Sequence, residues 1–352
     1  MEVIRGLHNL REEHRGCVVT IGNFDGVHRG HQAILDQCRE QASKLGLPVA
    51  VVVFEPQPRE FFAGDQAPPR LTRLREKVRL LGESGVDYVL CLPFNEHLRS
   101  LTAVEFVERV LVRGLGVRHL VVGDDFRFGC DRSGDFNLLS EEGERLGQAG
   151  FSVEHTRTFA LDDERVSSTR VRTLLASGNF VQTARMLGRP FHLGGRVIAD
   201  QKLGRTIGAP TANIPLPRLP LALRGVFAVV VELPGGERFN GVANIGWRPT
   251  VGSERPLLEA HLFDFDGDLY GRRLTVFPCA RLRGEQKFDD FAALKQQIMA
   301  DQAQARGYFI GNNFADSRLA DEYPLPLASA PLAREAANFD ASADGTADHD
   351  DG

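Results

Sequence analysis

The sequence predicts two fused modules: an α/β module built on a parallel sheet, then an antiparallel β-barrel with a C-terminal helix. Three observations predict this. First, a short apolar strand pattern at residues 17–21 runs into the turn GNFDGVHRGH and then into a helical pattern. Second, further apolar runs at 48–54, 86–92 and 117–123 alternate with helical patterns such as 71–81 and 104–112. Such alternation implies a parallel sheet covered by helices on both faces. Third, the pattern changes after residues 186–190: strand-like runs at 191–198, 226–233, 239–245, 257–263 and 274–280 follow with no helix between them, and a helix is expected from 288 to about 306.

With 352 residues, 42% hydrophobic and 25% charged, the chain has ample material for two cores. Its net charge of −5 offers no broad basic field, so nucleic acid is not an expected partner. The opening MEVIRGLHNLREEHRG is charged throughout, and no apolar run approaches bilayer length. The expectation is no membrane association and a cytoplasmic location. Cys17, Cys38, Cys91, Cys130 and Cys279 are odd in number and never spaced as CxxC, which argues against a disulfide framework or a zinc ribbon. The end of the chain is rich in Ala, Pro and Asp and lacks the periodicity a core requires. The expected division is therefore 1–186, 187–309, and a largely disordered extension over 310–352. Oligomeric state stays open, a homo-oligomer included.

The organising stretch is VVTIGNFDGVHRGH. Gly22, Gly26 and Gly30 let the backbone turn sharply and approach a ligand closely. His28 and His31, three apart, share a face of the first helical turn. There the helix N–H groups point outward and the dipole favours an anion, which suits phosphate oxygens. Ligands in parallel sheets bind beyond the carboxyl ends of the strands, so the other turns matter too. One is FEPQPREFF, where Phe61 and Phe62 offer aromatic faces. Another is VVGDDFRFGCDRSGD, where Asp125 and Phe128 sit in a Gly-bounded loop. The module closes with VSSTRVRTLLASGNF, in which Ser168 and Thr169 fall at a helix N-terminus.

GNFDGVHRGH after a strand resembles the signature of the Rossmann-like HxGH nucleotidyltransferase superfamily, in the GxFDGxHxGH form of its flavin-adenylylating branch. FEPxPxEFF, PPRLTRLREKVRLL, VGxDFRFG and the ISSTxxR-like VSSTRVR match the same branch. The resemblance implies nucleotide contacts from Gly22, Phe24, Asp25, Gly30, Ser168 and Thr169, and makes His28, His31 and Arg172 the catalytic candidates. Arginine suits a triphosphate because its planar fork is permanently charged and donates bidentate hydrogen bonds. Phe62, Asp125 and Phe128 become candidates for holding the flavin.

The chemistry of the second half is carried by GRVIADQKLGRTIGAPTANIP. No GxxxxGK[ST] occurs, so any ATP site here is of another kind. Gly195, Gly204 and Gly208 permit close backbone approach, and Thr211 and Asn213, two apart in an extended segment, point the same way. Two neutral oxygen ligands completed by phosphates and water suit magnesium. In FDFDGDLYG, Asp264, Asp266 and Asp268 alternate, but Leu269 stands where a calcium loop needs glycine and the closing Glu is missing, so a hairpin turn is expected. PTAN, GVANIGWRPTV and LEAHLFDFDGDLYGRRLTV together resemble riboflavin kinases. That likeness makes Glu259 the candidate general base, adds Lys202, Gly195, Gly204 and Gly208 as nucleotide contacts, and puts Thr211 and Asn213 on Mg2+.

Taken whole, residues 18–306 resemble the bacterial bifunctional riboflavin kinase/FMN adenylyltransferase (FAD synthetase) family. The resemblance implies small-molecule substrates: riboflavin and ATP giving FMN in the barrel, then FMN and a second ATP giving FAD and diphosphate in the α/β module. The alternatives are a chain with a single active module, a non-catalytic flavin or nucleotide sensor, or an adenylyltransferase for another phosphate, which would leave the barrel without a purpose.

Overall fold

The computed structural model describes residues 1–199, 211–216, 220–250, 253–288 and 290–311. Lys202, Gly204, Gly208 and the extension from 312 onward lie outside the described residues. In chain order the first module's strands are β1 (Glu2–Arg5), β2 (Val18–Ile21), β3 (Val49–Glu55), β4 (Tyr88–Pro93), β5 (His119–Val122) and β6 (Ser152–His155). All pair in parallel, in the order β1-β4-β3-β2-β5-β6. β2 is buried at every residue, as a central strand covered on both faces must be. The helices are α1 (Arg29–Leu45), α2 (Pro58–Ala63), α3 (Leu74–Glu83), α4 (Glu96–Arg99), α5 (Ala103–Phe106, continued by a π-helical stretch over Val107–Leu115) and α6 (Phe136–Arg145). Alternate residues of β2 feed opposite faces: Val18 packs with Leu35 and Cys38 of α1, while Val19 and Ile21 pack with Phe106 and Leu111. The edge strands β1 and β6 escaped the sequence reading. β1 buries Ile4 alone among charged neighbours, so it carries no alternation to detect.

A small hairpin, β7 (Ala160–Leu161) and β8 (Glu164–Arg165), leads to α7 (Ser168–Ser177) and α8 (Phe180–Leu187). The second module comprises β9 (Leu193–Arg196), β10 (Ala212–Pro215), β11 (Gly225–Glu232), β12 (Arg238–Thr250), β13 (Ser253–Leu262) and β14 (Arg273–Arg283), followed by α9 (Phe291–Gly311). Its strands pair antiparallel in the order β10-β13-β12-β11-β14-β9. The sheet curls into a barrel, and the Ile198 N–H donates to the Asn213 carbonyl at 2.9 Å across the seam. α9 runs to Gly311, beyond the expected end near 306.

One expectation fails here. The Asp-rich run after β13 is not a hairpin turn, because β13 and β14 are not neighbours: the segment crosses from one strand to the other, three positions away past β12 and β11. Turn residues reveal a reversal of direction, but strand order is set by partners far along the chain. Asp264 is held by Arg306 of α9 at 3.1 and 3.2 Å, and the guanidinium stacks over Phe263 at 4.2 Å. Among the described residues these aspartates form no metal-ligand cluster.

The modules are joined by more than a linker. Val171, Leu174 and Leu175 of α7 and Phe180, Ala184 and Leu187 of α8 belong to the same apolar cluster as the barrel interior, including Phe227, Ile245 and Leu258. The Phe180 and Phe227 rings meet edge-on with centroids 6.0 Å apart. Polar contacts flank this core: Arg281 donates to the Ala176 carbonyl at 2.9 Å and Arg73 to the Pro215 carbonyl at 3.3 Å.

Phe227, 1% exposed, is the ring on which both sides of that core converge. Phe227→Ala should therefore cost about 3–5 kcal/mol of unfolding free energy. Denaturant titration of the full chain measures this; a cost under about 1 kcal/mol would show that the joint is dispensable.

Candidate active sites

The first site lies where the strand order of the parallel sheet reverses, between β2 and β5, the place where such sheets bind ligands. The turn after β2 is unusual. Phe24 and Val27 are non-glycine residues at φ of 46° and 38°, flanking Gly26 at 86°. Left-handed backbone in such residues costs on the order of 1–3 kcal/mol each, so the surroundings must hold it. Asp25 is a principal holder. It is 2% exposed and accepts hydrogen bonds from the backbone N–H of Leu71 (3.0 and 3.1 Å) and Thr72 (3.1 Å), and from Arg172 at 2.5 Å. Arg172 also donates to the Pro69 carbonyl at 2.6 Å, and Ser168 Oγ donates to the Asp25 carbonyl at 2.9 Å. The structure thus gives Asp25, Arg172 and Ser168 to one another, and Thr169 stays exposed at the N-terminus of α7.

His28 is the N-cap of α1, and its Nδ1 accepts the His31 N–H at 3.2 Å. The two imidazoles stack, centroids 3.6 Å apart at 14°, with Gly30 between them in sequence and the Phe24 ring 4.9 Å from His31. Burial lowers the His28 pKa to about 4 and pushes that of His31 well below its ordinary range, with the Arg189 charge acting in the same direction on both. Both rings are therefore neutral at pH 7. Because His28 Nδ1 accepts, its proton sits on Nε2, leaving that edge as a donor. Gly22 closes β2, its N–H on the Val52 carbonyl at 3.1 Å.

Sequence reading passed over Lys77 of α3 as an ordinary helix residue. It is 0% exposed, and its ammonium has no hydrogen-bond partner among the described residues. Burial lowers its pKa, and Asp25, Arg70, Glu55 and Glu60 lie in its electrostatic neighbourhood. Arg70 bridges Glu55 (2.6 Å) and Glu60, forming one wall of an open cleft of about 640 Å³ whose other wall is Pro215 and Leu216 of the barrel.

The three flavin candidates are not equivalent. Phe62 is 64% exposed beside Phe61 and Phe94, whereas Phe128 is 8% exposed and packs on Phe106 and Phe126. They belong to separate aromatic groups, and Asp125 is exposed in the loop after β5.

The second site is a row across three strands. Asn213 of β10 stands opposite Glu259 of β13, which stands opposite Asn244 of β12. Directly opposed residues put their side chains on one face, here the face away from the core residues Leu258 and Ala260. Asn244 Nδ2 donates to Glu259 Oε2 at 3.3 Å. The Asn213 Oδ1 is buried and accepts no hydrogen bond among the described residues, and Thr211 lies half-buried two residues before it. Asn244 was quoted within a motif but not singled out, since only register brings it to Glu259. Gly195 does not line this row: a Cβ there would fall 2.6 Å from Ile214 Cγ2, so it serves the approach of β9 to β10.

Comparison with known proteins agrees with both halves. The FAD synthetase family model matches residues 10–170 and the riboflavin kinase family model residues 187–309. A bifunctional riboflavin kinase/FMN adenylyltransferase of Pseudomonas fluorescens is 58% identical over 307 residues, 87% of this chain and 97% of that protein. The chain belongs to the bifunctional riboflavin kinase/FMN adenylyltransferase family. The Escherichia coli K12 member is 51% identical over 310 residues, covering 88% of this chain and 98% of its own length. A solved structure from Streptococcus pneumoniae, described as a macrolide-efflux protein, matches 87% of this chain and 99% of its own with a TM-score of 0.71 and 29% identity. In the present chain, no helix among the described residues is long and apolar enough to cross a membrane.

The electrostatics of the first site make a pH prediction. An unfolded imidazole takes up a proton near 6.5, whereas folded His28 and His192 stay neutral down to about 4. Their contribution to stability is thus lost as pH falls from 6.5 towards 4, because the unfolded chain binds more protons there. Glu76, pushed up to about 7 by burial, has the opposite sign, favouring the fold at low pH and losing that contribution as pH rises from 4.5 to 7. With His31 added to the other two histidines, the net effect is destabilisation on acidification. NMR titration should place the His28 midpoint near 4, and denaturant unfolding should be easier at about pH 5 than at about pH 7. A His28 midpoint at 6.5 would contradict the buried, neutral pair.

Proposed function

We propose that this chain makes FMN and then FAD, with each reaction at one of the two sites described. What supports the reading is that each family match falls on a module carrying its own polar constellation. The division by activity is 1–186 for adenylyl transfer and 187–309 for the kinase, with 310–352 as an extension. ATP and riboflavin enter as substrates and FMN is both product and substrate. The cytoplasm is the proposed location, consistent with ATP use and with five free cysteines.

In the barrel, the Glu259 carboxylate accepts the proton of the ribityl hydroxyl as it attacks the terminal phosphate of ATP. Positioning and charge neutralisation supply most of the rate gain. Asn244 orients the carboxylate by donating to one of its oxygens. Mg2+ fits the adjacent residues: the buried Asn213 Oδ1 has no donor among the described residues, and Thr211, two residues before it, offers a second neutral oxygen. When bound, the ion would supply charge neutralisation on the phosphates. Gly195, Lys202, Gly204 and Gly208 complete the proposed nucleotide contacts, with Gly195 acting by letting β9 close on β10.

In the α/β module, the FMN phosphate attacks the α-phosphate of ATP and diphosphate leaves. His28 Nε2–H donates to the phosphoryl oxygens, and His31 lies stacked beneath it, so charge developing in the transition state meets preorganised donors at a helix N-terminus. Arg172 acts from its ion pair with Asp25, and Ser168 and Thr169 present the N-terminus of α7. Gly22, Phe24 and Gly30 shape the nucleotide side, while Phe62 and Asp125 face the flavin and Phe128 supports the Asp125 loop from the core by packing on Phe126 and Phe106.

Incubation with riboflavin, ATP and Mg2+, resolved by chromatography, should show FMN and then FAD. His28→Ala with His31→Ala should cut FAD formation from FMN by about 10²-fold or more while FMN formation persists. Glu259→Gln should do the converse, lowering FMN formation by about 10²-fold or more. With each step given its own substrate, riboflavin for the kinase and FMN for adenylyl transfer, loss of both activities in either folded variant would refute separate sites.

A further inference from the structure

The segment joining α8 to the barrel is bound to the signature turn. Arg189 Nη2 donates to the Gly26 carbonyl at 2.7 Å, and its Nη1 reaches the carbonyls of Val27 at 3.3 Å and Leu187 at 3.2 Å. Gln32, in α1, donates through Nε2 to two of the same acceptors, Val27 at 2.9 Å and Leu187 at 3.1 Å. The Gly26 and Val27 carbonyls belong to a turn buried from Phe24 to His28, where water cannot replace a lost donor. They also belong to the residues whose left-handed backbone aims the imidazoles. Val27 directly precedes His28, and its φ of 38° is one no valine adopts unaided. Gly26 cannot relax towards α3, since even a Cβ there would fall 2.9 Å from Leu71 Cδ1.

The guanidinium also feels a charge that touches the second module. After burial, Glu76 of α3 is the largest influence on Arg189, and the same carboxylate lies 3.2 Å from Nε2 of His192, one residue before β9. Arg189 and His192 sit on the strand of chain that enters the barrel, so the turn before His28 and the start of the barrel are gripped by one stretch.

We propose that Arg189 is a positioning residue for adenylyl transfer, holding the Gly26 and Val27 carbonyls so that His28 and His31 face the phosphates. It ties that geometry to the seating of the barrel. The proposal rests on the adenylyltransferase reading above.

The test is Arg189→Met in the full chain, which keeps an unbranched apolar stem and removes the fork. With FMN, ATP and Mg2+, kcat for FAD formation should fall at least about tenfold, with KM for FMN within about twofold of wild type. Kinase turnover of riboflavin by the same preparation should stay within about twofold. A loss below about tenfold, a loss carried by KM for FMN, or a fall shared by the kinase reaction overturns the proposal. Should the Met variant fail to fold, Arg189→Lys carries the same test and criteria, since an ammonium cannot reach all three carbonyls as the fork does. Wild-type protein run in parallel separates the two readings. No FAD from wild type would overturn the adenylyltransferase assignment and this proposal with it, whereas wild-type turnover with an undiminished variant would overturn this proposal alone.

Discussion

The buried pair of Asp25 and Arg172 is the interaction on which the first module's chemistry depends. Taking a carboxylate and a guanidinium out of water costs several kcal/mol per ion, and the cost is offset only where the remaining lone pairs and protons are satisfied. Here they are: Asp25 also takes two backbone N–H groups, from Leu71 and Thr72, and Arg172 also takes the Pro69 carbonyl. Three segments remote in sequence meet at one carboxylate: the turn after β2, the approach to α3, and α7. Removing either partner would leave an uncompensated charge, so the pair locks those segments together far more firmly than its net contribution to stability suggests. A consequence is that the proposed role of Arg172 towards phosphate has to be played from within its pair with Asp25. Its charge is partly neutralised, and its orientation is fixed before any substrate arrives.

That lock lets the turn hold backbone that would otherwise relax. Phe24 and Val27 are strained, and the strain sits one residue from the N-cap of α1, where a small change in direction would swing His28 off its axis. Burial then makes both imidazoles neutral, so what they can offer a ligand is a hydrogen bond and not a cation. Neutral donors suit a site that must also release diphosphate, because a full ion pair with the product would hold it. The positive charge is supplied instead from behind, by the buried Lys77 and Arg189, and by the outward N-termini of α1 and α7.

Much of this was legible in the sequence where function is written in contiguous strings. GNFDGVHRGH marked the turn and the histidine pair, VSSTRVR marked α7 and its arginine, and PTAN marked the edge strand of the barrel. Relations between strings were not legible. Asn213, Glu259 and Asn244 form a row only through the register of β10, β13 and β12, and nothing local to any of the three indicates the others. The Asp-rich segment after β13 read as a hairpin because its residues favour a reversal, while the partners of β14 lay elsewhere. Nothing in the helical string around Lys77 sets it apart, because the carboxylates that offset its buried charge come from the turn after β2, from β3 and from α2.

The shared core bears on why two chemistries occupy one chain. α7 directs Arg172 to Asp25 at the first site and packs Val171, Leu174 and Leu175, from the same two turns, into the core shared with the barrel. A helix that is rigid over ten residues transmits displacement along its length, so the seating of the barrel and the placement of Arg172 are mechanically one variable. The barrel's contribution to adenylyl transfer is then structural, through α7 and α8, even if FMN travels between the sites through solvent. Separating the modules near residue 187 would expose Phe180, Ala184 and Leu187 on one piece and Phe227 on the other, leaving α7 without the surface that fixes it. On this view the linkage of the two activities needs no channel for its explanation, because burial of a common apolar surface already makes each module part of the other's scaffold.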